Sequence, residues 1–122
     1  MSGFDEAFHR LRAILIAASD GLERVVDSES ELSLNTPHRM KNGQPLWFGG
    51  VRIGKAYVSY HLMPVYVNPA LLEDISDGLR RRMQGKSCFN FARVDETLFE
   101  ELAGLTRAGR ADFAERGYLE AD

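Results

Sequence analysis

The sequence predicts an α+β protein in which a mostly antiparallel sheet carries helices on one of its faces. Apolar residues recur at helical spacing near both ends of the chain, whereas short strand-like runs joined by tight turns fill the middle. No linker, low-complexity tract or internal repeat divides the 122 residues, which suit one domain over residues 1–122. The expected order is αα-βββ-α-β-α, and helices on one face of such a sheet make a two-layer fold.

Two helices are expected before the first strand. A break at Ser19, Asp20 and Gly21 separates them, because Ser19 or Asp20 can cap a second short helix over residues 22–26. In the first helix, apolar residues three or four positions apart lie on one buried face. This stripe consists of Phe4, Phe8, Leu11, Leu15 and Ala18.

Three strands joined by short turns are expected next, over residues 30–35, 45–53 and 56–62. Pro37 is expected to end the first of them. Asn42 followed by Gly43 is the strongest short hairpin signal, and strands joined by turns this short form an antiparallel meander. Adjacent Gly49 and Gly50 inside the middle strand predict a bulge or a close backbone approach.

A helix, a fourth strand and a closing helix complete the prediction. Asn68 and Pro69 are favourable at the start of a helix, and Gly85 is the expected left-handed residue at its end. Residues 87–94 are predicted as the fourth strand. Asp95 is a good N-cap for the last helix, and Gly117 is expected to end that helix.

Composition and charge argue against several classes of protein. The net charge of −3 and the pI of about 5.6 disfavour a general nucleic-acid binder, which needs a basic face. No apolar run approaches the roughly 20 residues that cross a bilayer, so no membrane partner is expected. Cys88 is the single cysteine, which rules out an intrachain disulfide. Because the first residues lack the basic stretch of a secretion signal, the expected location is cytoplasmic.

Three motifs resemble the YdhG-like family, domain-of-unknown-function family 1801. They are Gly-Gln-Pro-Leu-Trp-Phe at 43–48, Lys-Ala-Tyr-Val-Ser-Tyr-His-Leu-Met at 55–63 and Gly-Lys-Ser-Cys-Phe-Asn-Phe at 85–91. With the helices around them, the resemblance covers nearly the whole chain. It implies a small α+β domain with a curved antiparallel sheet and a groove or cavity on one face. Some members carry a frataxin-like, iron-chaperone label, so the resemblance also implies iron binding as an alternative function.

The third strand divides into two faces with different chemistry. Alternation assigns Ala56, Val58, Tyr60 and Leu62 to the core face, and Tyr57, Ser59, His61 and Met63 to a mixed face. His61 is the strongest candidate for polar contact or proton transfer, because its pKa lies nearest neutrality. The alternative is a structural histidine that is satisfied by a backbone or hydroxyl partner.

A binding site for a small molecule or a protein partner is therefore predicted on the sheet. Its candidate residues are Trp47, Tyr60, His61, Tyr66, Lys86 and Arg93. If Trp47 and Tyr66 are exposed, the same patch can instead form the interface of a homodimer.

The sequence carries no catalytic signature and indicates no particular cofactor. Gly85, Lys86 and Ser87 precede a strand and lack the earlier glycine of a P-loop, which excludes nucleotide hydrolysis. Cys88 is expected to be a small buried hydrophobe, since a nucleophile needs a base beside it. An enzyme that uses His61 as acid or base needs a second titrating group nearby, which the sequence does not locate.

Acidic residues cluster at the start of the last helix. Oxygen ligands about one turn apart can hold a hard cation weakly, and this is the feature that an iron-binding function would use. The alternative is that the acids simply favour the positive end of the helix dipole. The candidate metal ligands are Asp95, Glu96, Glu100 and Glu101.

Overall fold

The computed structural model of the protein describes residues 3–120, which form four α-helices, one 3-10 helix and six strands. In chain order these are α1 (Gly3–Ala17), β1 (Glu23–Asp27), β2 (Glu31–Arg39), β3 (Pro45–Ile53), β4 (Val58–Leu62), α2 (Met63–Val67), the 3-10 helix (Pro69–Leu72), α3 (Asp77–Arg80), β5 (Met83–Gln84), β6 (Cys88–Phe91) and α4 (Glu96–Glu115).

All six strands belong to one curved antiparallel sheet, which confirms the predicted α+β class. The strand order is β1-β2-β3-β4-β6-β5, so β1 to β4 form the expected meander. After β4 the chain passes through the short helices and returns so that β6 lies beside β4, and β5 forms the far edge. Helix α1 packs on β3 and β4 and also contacts α4, which makes the second layer.

The core lies between this sheet and the two long helices. In β4 the alternation is as predicted, because Val58, Tyr60 and Leu62 are buried while the residues between them are half-buried. The prediction is wrong for Ala56, which precedes the strand and is exposed in the turn together with Tyr57. Two edge-to-face aromatic pairs, Phe48 with Phe113 and Phe91 with Phe99, join the sheet to α4.

The prediction of a second helix over residues 22–26 is wrong, because residues 23–27 form the edge strand β1. All five residues of β1 are exposed, so there is no buried stripe that would hold a helix there. The β-branched Val25 and Val26 suit a strand. Ser28 closes the hairpin to β2, since its hydroxyl accepts from the backbone of residues 30 and 31. Arg12 of α1 donates to Asp27 at 2.8 Å and ties the strand to the helix layer.

Gly49 and Gly50 lie at an irregularity and a close approach, as predicted. The register of β2 against β3 shifts between Leu34 and Asn35, opposite this part of β3. A Cβ atom on Gly50 would lie 2.7 Å from the carbonyl oxygen of Leu32, too close for any side chain. Only glycine therefore allows the neighbouring strand to pair here.

Strand β2 continues past Pro37, which was expected to end it. Regular pairing with β3 lapses between Asn35 and Arg39, so the missing N–H of proline falls in an irregular stretch of the ladder. The buried hydroxyl of Thr36 donates to the carbonyl of Leu46 at 2.7 Å and holds the two strands together there.

The single helix predicted after Asn68 is divided into shorter elements. Asn68 does not cap it, because its side chain donates to Asp112 of α4 at 2.9 Å. Gly85 has the predicted positive φ of 75°, but it lies in the β5–β6 hairpin and not at a helix end. Asp95 caps α4 as predicted, by accepting from the N–H of Leu98 at 3.1 Å. Gly117, with a φ of 82°, follows the end of that helix.

Candidate functional site

The face of the sheet opposite α1 carries a row of polar residues, called here the outer face. Cross-strand pairing aligns one residue from each of five strands in a single line across the sheet. The line is Ser33, Gly50, His61, Cys88 and Gln84. Because side chains directly opposite each other on neighbouring strands are in contact range, this register decides which polar groups meet.

Trp47 covers the glycine in this row and reaches the histidine. A Cβ atom on Gly50 would lie 3.1 Å from Cζ2 of Trp47, so the indole lies over the bare backbone. The indole Nε1–H donates to Ser33 Oγ at 2.9 Å, which holds the ring orientation. The Trp47 and His61 ring centroids are 5.5 Å apart, within the range of a favourable aromatic contact.

His61 and Cys88 are directly opposite each other on β4 and β6. Their Nε2 and Sγ atoms are 3.7 Å apart, within hydrogen-bonding reach for sulfur. Cys88 Sγ also lies 3.4 Å from Oδ1 of Asn90 and can donate to it, and Ser59 Oγ donates to the same oxygen at 2.9 Å. Asn90 in turn donates to Gln84 at 2.7 Å. The outer face is therefore a connected polar network, centred on a thiol and an imidazole.

Partial burial keeps both titrating groups of this network neutral. Desolvation lowers the pKa of His61 below its ordinary value of 6.5, and the charge of Arg52 lowers it further. Desolvation raises the pKa of the Cys88 thiol above its ordinary value of 9.0, with the Ser59 hydroxyl opposing that effect. At neutral pH the imidazole is an unprotonated base beside a protonated thiol.

A second feature is a groove between α2 and the β5–β6 hairpin. It encloses about 520 Å³, and its lining combines apolar side chains with one lysine. Tyr66 is 54% exposed on α2, and Lys86 Nζ lies 5.9 Å from the centre of its ring, within cation–π range. The lining residues are Val65, Tyr66, Pro69, Leu72, Met83, Gly85 and Lys86.

The predicted binding residues fall into separate places. Trp47 and His61 meet on the outer face, and Tyr66 and Lys86 meet in the groove. Tyr60 is fully buried in the core, where its hydroxyl pairs with Thr106 at 2.6 Å, so it presents no surface to a ligand.

Arg93 lies apart from both places. It follows β6 at the end away from Gly85, and a Cβ atom on Gly3 of α1 would lie 3.7 Å from the Arg93 Cβ. The single site predicted from sequence is thus divided between two places, and Tyr60 and Arg93 belong to neither.

The four acidic candidates for metal binding do not form one cluster. Asp95 caps α4, Glu96 pairs with Arg10, and both carboxylate oxygens of Glu101 accept from Ser76, at 2.5 and 2.6 Å. Glu100 lines a surface cavity between α1 and α4, which Glu96 and Arg10 also line. Within residues 3–120, no three His, Cys, Asp or Glu side chains are grouped as a metal site would require.

The prediction that Cys88 is a small buried hydrophobe is wrong, because the residue is only partly buried and its thiol lies beside His61, with Asn90 as a further partner of that thiol. Alternation along β6 puts Cys88 and Asn90 on one face, but it carries no information on which strand pairs with β6. The signal that was present is a polar residue at alternate positions in both β4 and β6. It becomes specific only when the two strands are known to pair.

Comparison of the chain with models of protein families, with curated protein sequences and with solved structures finds no match. None of the helices between residues 3 and 120 combines the length and the apolar character needed to traverse a bilayer.

Proposed function

We propose that this protein binds a small amphipathic carboxylate in the groove between α2 and the β5–β6 hairpin. The observation that carries the proposal is the pairing of an apolar lining with one lysine at its edge. The groove volume of about 520 Å³ lies within the range usual for small-ligand sites.

The charges around Lys86 favour an anionic ligand. Among residues 3–120, Lys86 forms none of the ion pairs, and its ammonium group instead lies over the Tyr66 ring. A carboxylate can approach that ammonium while the apolar part of the ligand covers the partly exposed Leu72 and Met83. Burial of that part contributes about 25 cal/mol per Å² of apolar surface, and the half-exposed tyrosine offers a ring for stacking.

The iron-chaperone alternative has less support, since its four acids do not converge. Three of them already have partners in the helix cap, in Arg10 and in Ser76. A hard cation needs several oxygen ligands within one coordination shell. Iron binding would require Glu96 and Glu101 to leave these partners, whereas groove binding requires no rearrangement.

The test uses two probes of equal shape, 4-phenylbutyrate and its neutral amide, titrated into the ¹⁵N-labelled protein. We expect amide shifts confined to residues 65–72 and 83–86. Replacing Lys86 with Gln should weaken carboxylate binding about tenfold, which corresponds to about 1.4 kcal/mol, and should leave amide binding unchanged. Lys55→Gln is the matched control, because Lys55 is an exposed lysine in the β3–β4 turn.

The proposal fails if neither probe shifts the groove amides at millimolar concentration, or if both lysine variants behave alike. Sedimentation velocity examines the alternative occupant, a second copy of the chain. A dimer that Tyr66→Glu converts to monomer would assign the exposed tyrosine surface to self-association instead of ligand binding.

A further inference from the structure

We infer that Cys88 and His61 form a nucleophile–base pair on the outer face, which adds the thiol to carbon electrophiles of the α,β-unsaturated carbonyl class. This site is separate from the proposed carboxylate groove and does not depend on it. The inference supplies the second titrating group that a reactive role for His61 requires.

The thiol of Cys88 has two acceptors within reach, Oδ1 of Asn90 at 3.4 Å and Nε2 of His61 at 3.7 Å, and of these only the imidazole is a base. Nε2 of His61 and Sγ of Cys88 are 3.7 Å apart. The two residues are directly opposite each other on β4 and β6, so backbone pairing of the strands fixes their positions. Trp47 packs against the imidazole and is itself held by its bond to Ser33. A nucleophile and a base within hydrogen-bonding reach, with the base positioned by a third group, is the arrangement that activates a thiol. Cys88 is only partly buried, so the residue is not sealed in the core.

The groups around the pair leave His61 as the proton acceptor. Arg52 on β3 is the charged neighbour that acts on the imidazole, and its own cross-strand partner is Glu31 on β2. Strands β5 and β6 present Gln84 and Asn90, which do not titrate. Since burial disfavours both ions, the pair rests as thiol and neutral imidazole and transfers the proton only as the sulfur attacks.

The step balances without any other reactant. Sγ of Cys88 bonds to the β-carbon of the electrophile while the thiol proton passes to Nε2 of His61. The π-electron pair of the C=C bond moves onto the α-carbon and carbonyl oxygen as an enolate. The imidazolium then returns its proton to the α-carbon, so that S–H has added across the double bond and His61 is neutral again.

Conjugate addition suits this face better than acyl transfer. Acyl transfer needs N–H or O–H donors aimed at a tetrahedral oxyanion. Three of the side-chain donors close to the pair are already engaged, because Trp47 donates to Ser33, Asn90 to Gln84, and Ser59 to Asn90, and Arg52 is a further cation near the imidazole. An enolate spreads its charge and is neutralised by the imidazolium, so it depends less on such donors.

The test measures the rate of labelling by N-ethylmaleimide and acrylamide from about pH 5 to about pH 10, with intact-mass detection. The single cysteine makes one label per chain the full reaction. In the wild-type protein the rate should rise through the pKa of His61 and then level off through neutrality. In His61→Gln it should be at least tenfold slower at pH 7 and should rise about tenfold per pH unit with the thiolate alone.

His9→Gln is the matched control and should label like the wild type, because His9 lies exposed on α1. Circular dichroism checks that each variant folds. Equal rates for wild type and His61→Gln overturn the inference, as does an unreactive Cys88. If His61→Gln does not fold, the pH dependence of the wild-type labelling rate is sufficient to test the inference. A rate that follows thiolate formation from pH 6 to pH 9, with no limb near the histidine pKa, rejects the pair.

Discussion

Tyr60 connects the strand that carries His61 to helix α4, and this link allows a quantitative test of the fold. Its fully buried hydroxyl is 2.6 Å from Oγ1 of Thr106, which is itself 1% exposed. Thr106 donates its only proton to the carbonyl of Leu102 at 2.8 Å. The shared proton between the two hydroxyls must therefore come from Tyr60, which makes Thr106 its acceptor.

Removing the acceptor of this hydrogen bond should lower the free energy of unfolding more than removing its donor. Thr106→Val leaves a buried phenol donor without an acceptor and should lower the free energy of unfolding by about 2 kcal/mol. Tyr60→Phe leaves Thr106 still bonded to Leu102 and should cost only about 1 kcal/mol. In the double variant both polar groups are gone, so we expect a loss of about 1.5 kcal/mol and a coupling energy of about 1.5 kcal/mol.

Urea denaturation of the wild type, the two single variants and the double variant measures these values. Thr97→Val is the control, since Thr97 is exposed on α4 and its replacement should change stability by no more than about 0.5 kcal/mol. If the two losses simply add, to within about 0.5 kcal/mol, Tyr60 and Thr106 do not act as a pair and the proton assignment is wrong.

Three further outcomes follow from local geometry and burial. Gly50→Ala places a Cβ atom 2.7 Å from the carbonyl oxygen of Leu32, so it should lower the melting temperature, whereas Gly104→Ala on α4, where the added Cβ would lie at an ordinary 3.7 Å from the Arg107 guanidinium, should gain about 0.5–1 kcal/mol. Because the pKa of His61 is lowered in the native state, stability should fall as pH drops below about 6.5, and His61→Gln should remove that part of the decline in acid titrations. Because burial raises the pKa of Tyr60, stability should also fall above about pH 10. If the stability of Tyr60→Phe declines with pH as steeply as that of the wild type, this expectation is contradicted.

Local chemistry was enough to predict most of the elements of the fold. Asp95 and Gly117 bound α4 as expected, and Gly43 has the positive φ that its hairpin requires. The prediction failed at residues 22–26, because three apolar residues at helical spacing also suit an edge strand. Whether such a segment becomes a helix depends on a surface that buries its stripe, and β1 has none.

The candidate site was predictable only in part. Trp47, His61, Tyr66 and Lys86 were identified because polar or aromatic residues stand in otherwise apolar runs, and these four do form close pairs. Tyr60 is an aromatic residue of the same kind, but its position in the alternation of β4 indicates the core, where it lies. The sequence pattern identifies a residue as unusual for its strand, but it does not indicate which residue it contacts in the folded protein.

The sequence by itself determined the α+β class, the meander and the glycine positions, since these depend on periodicity and on backbone conformations a few residues long. Only the tertiary structure decided that β6 returns to lie beside β4, which brings Cys88 to His61 from 27 positions away. The same long-range pairing separates the outer face from the groove, and contacts between distant segments give Glu96 its partner Arg10 and Glu101 its partner Ser76. Contacts of this kind come from chain segments that meet only after folding, so no local pattern specifies them.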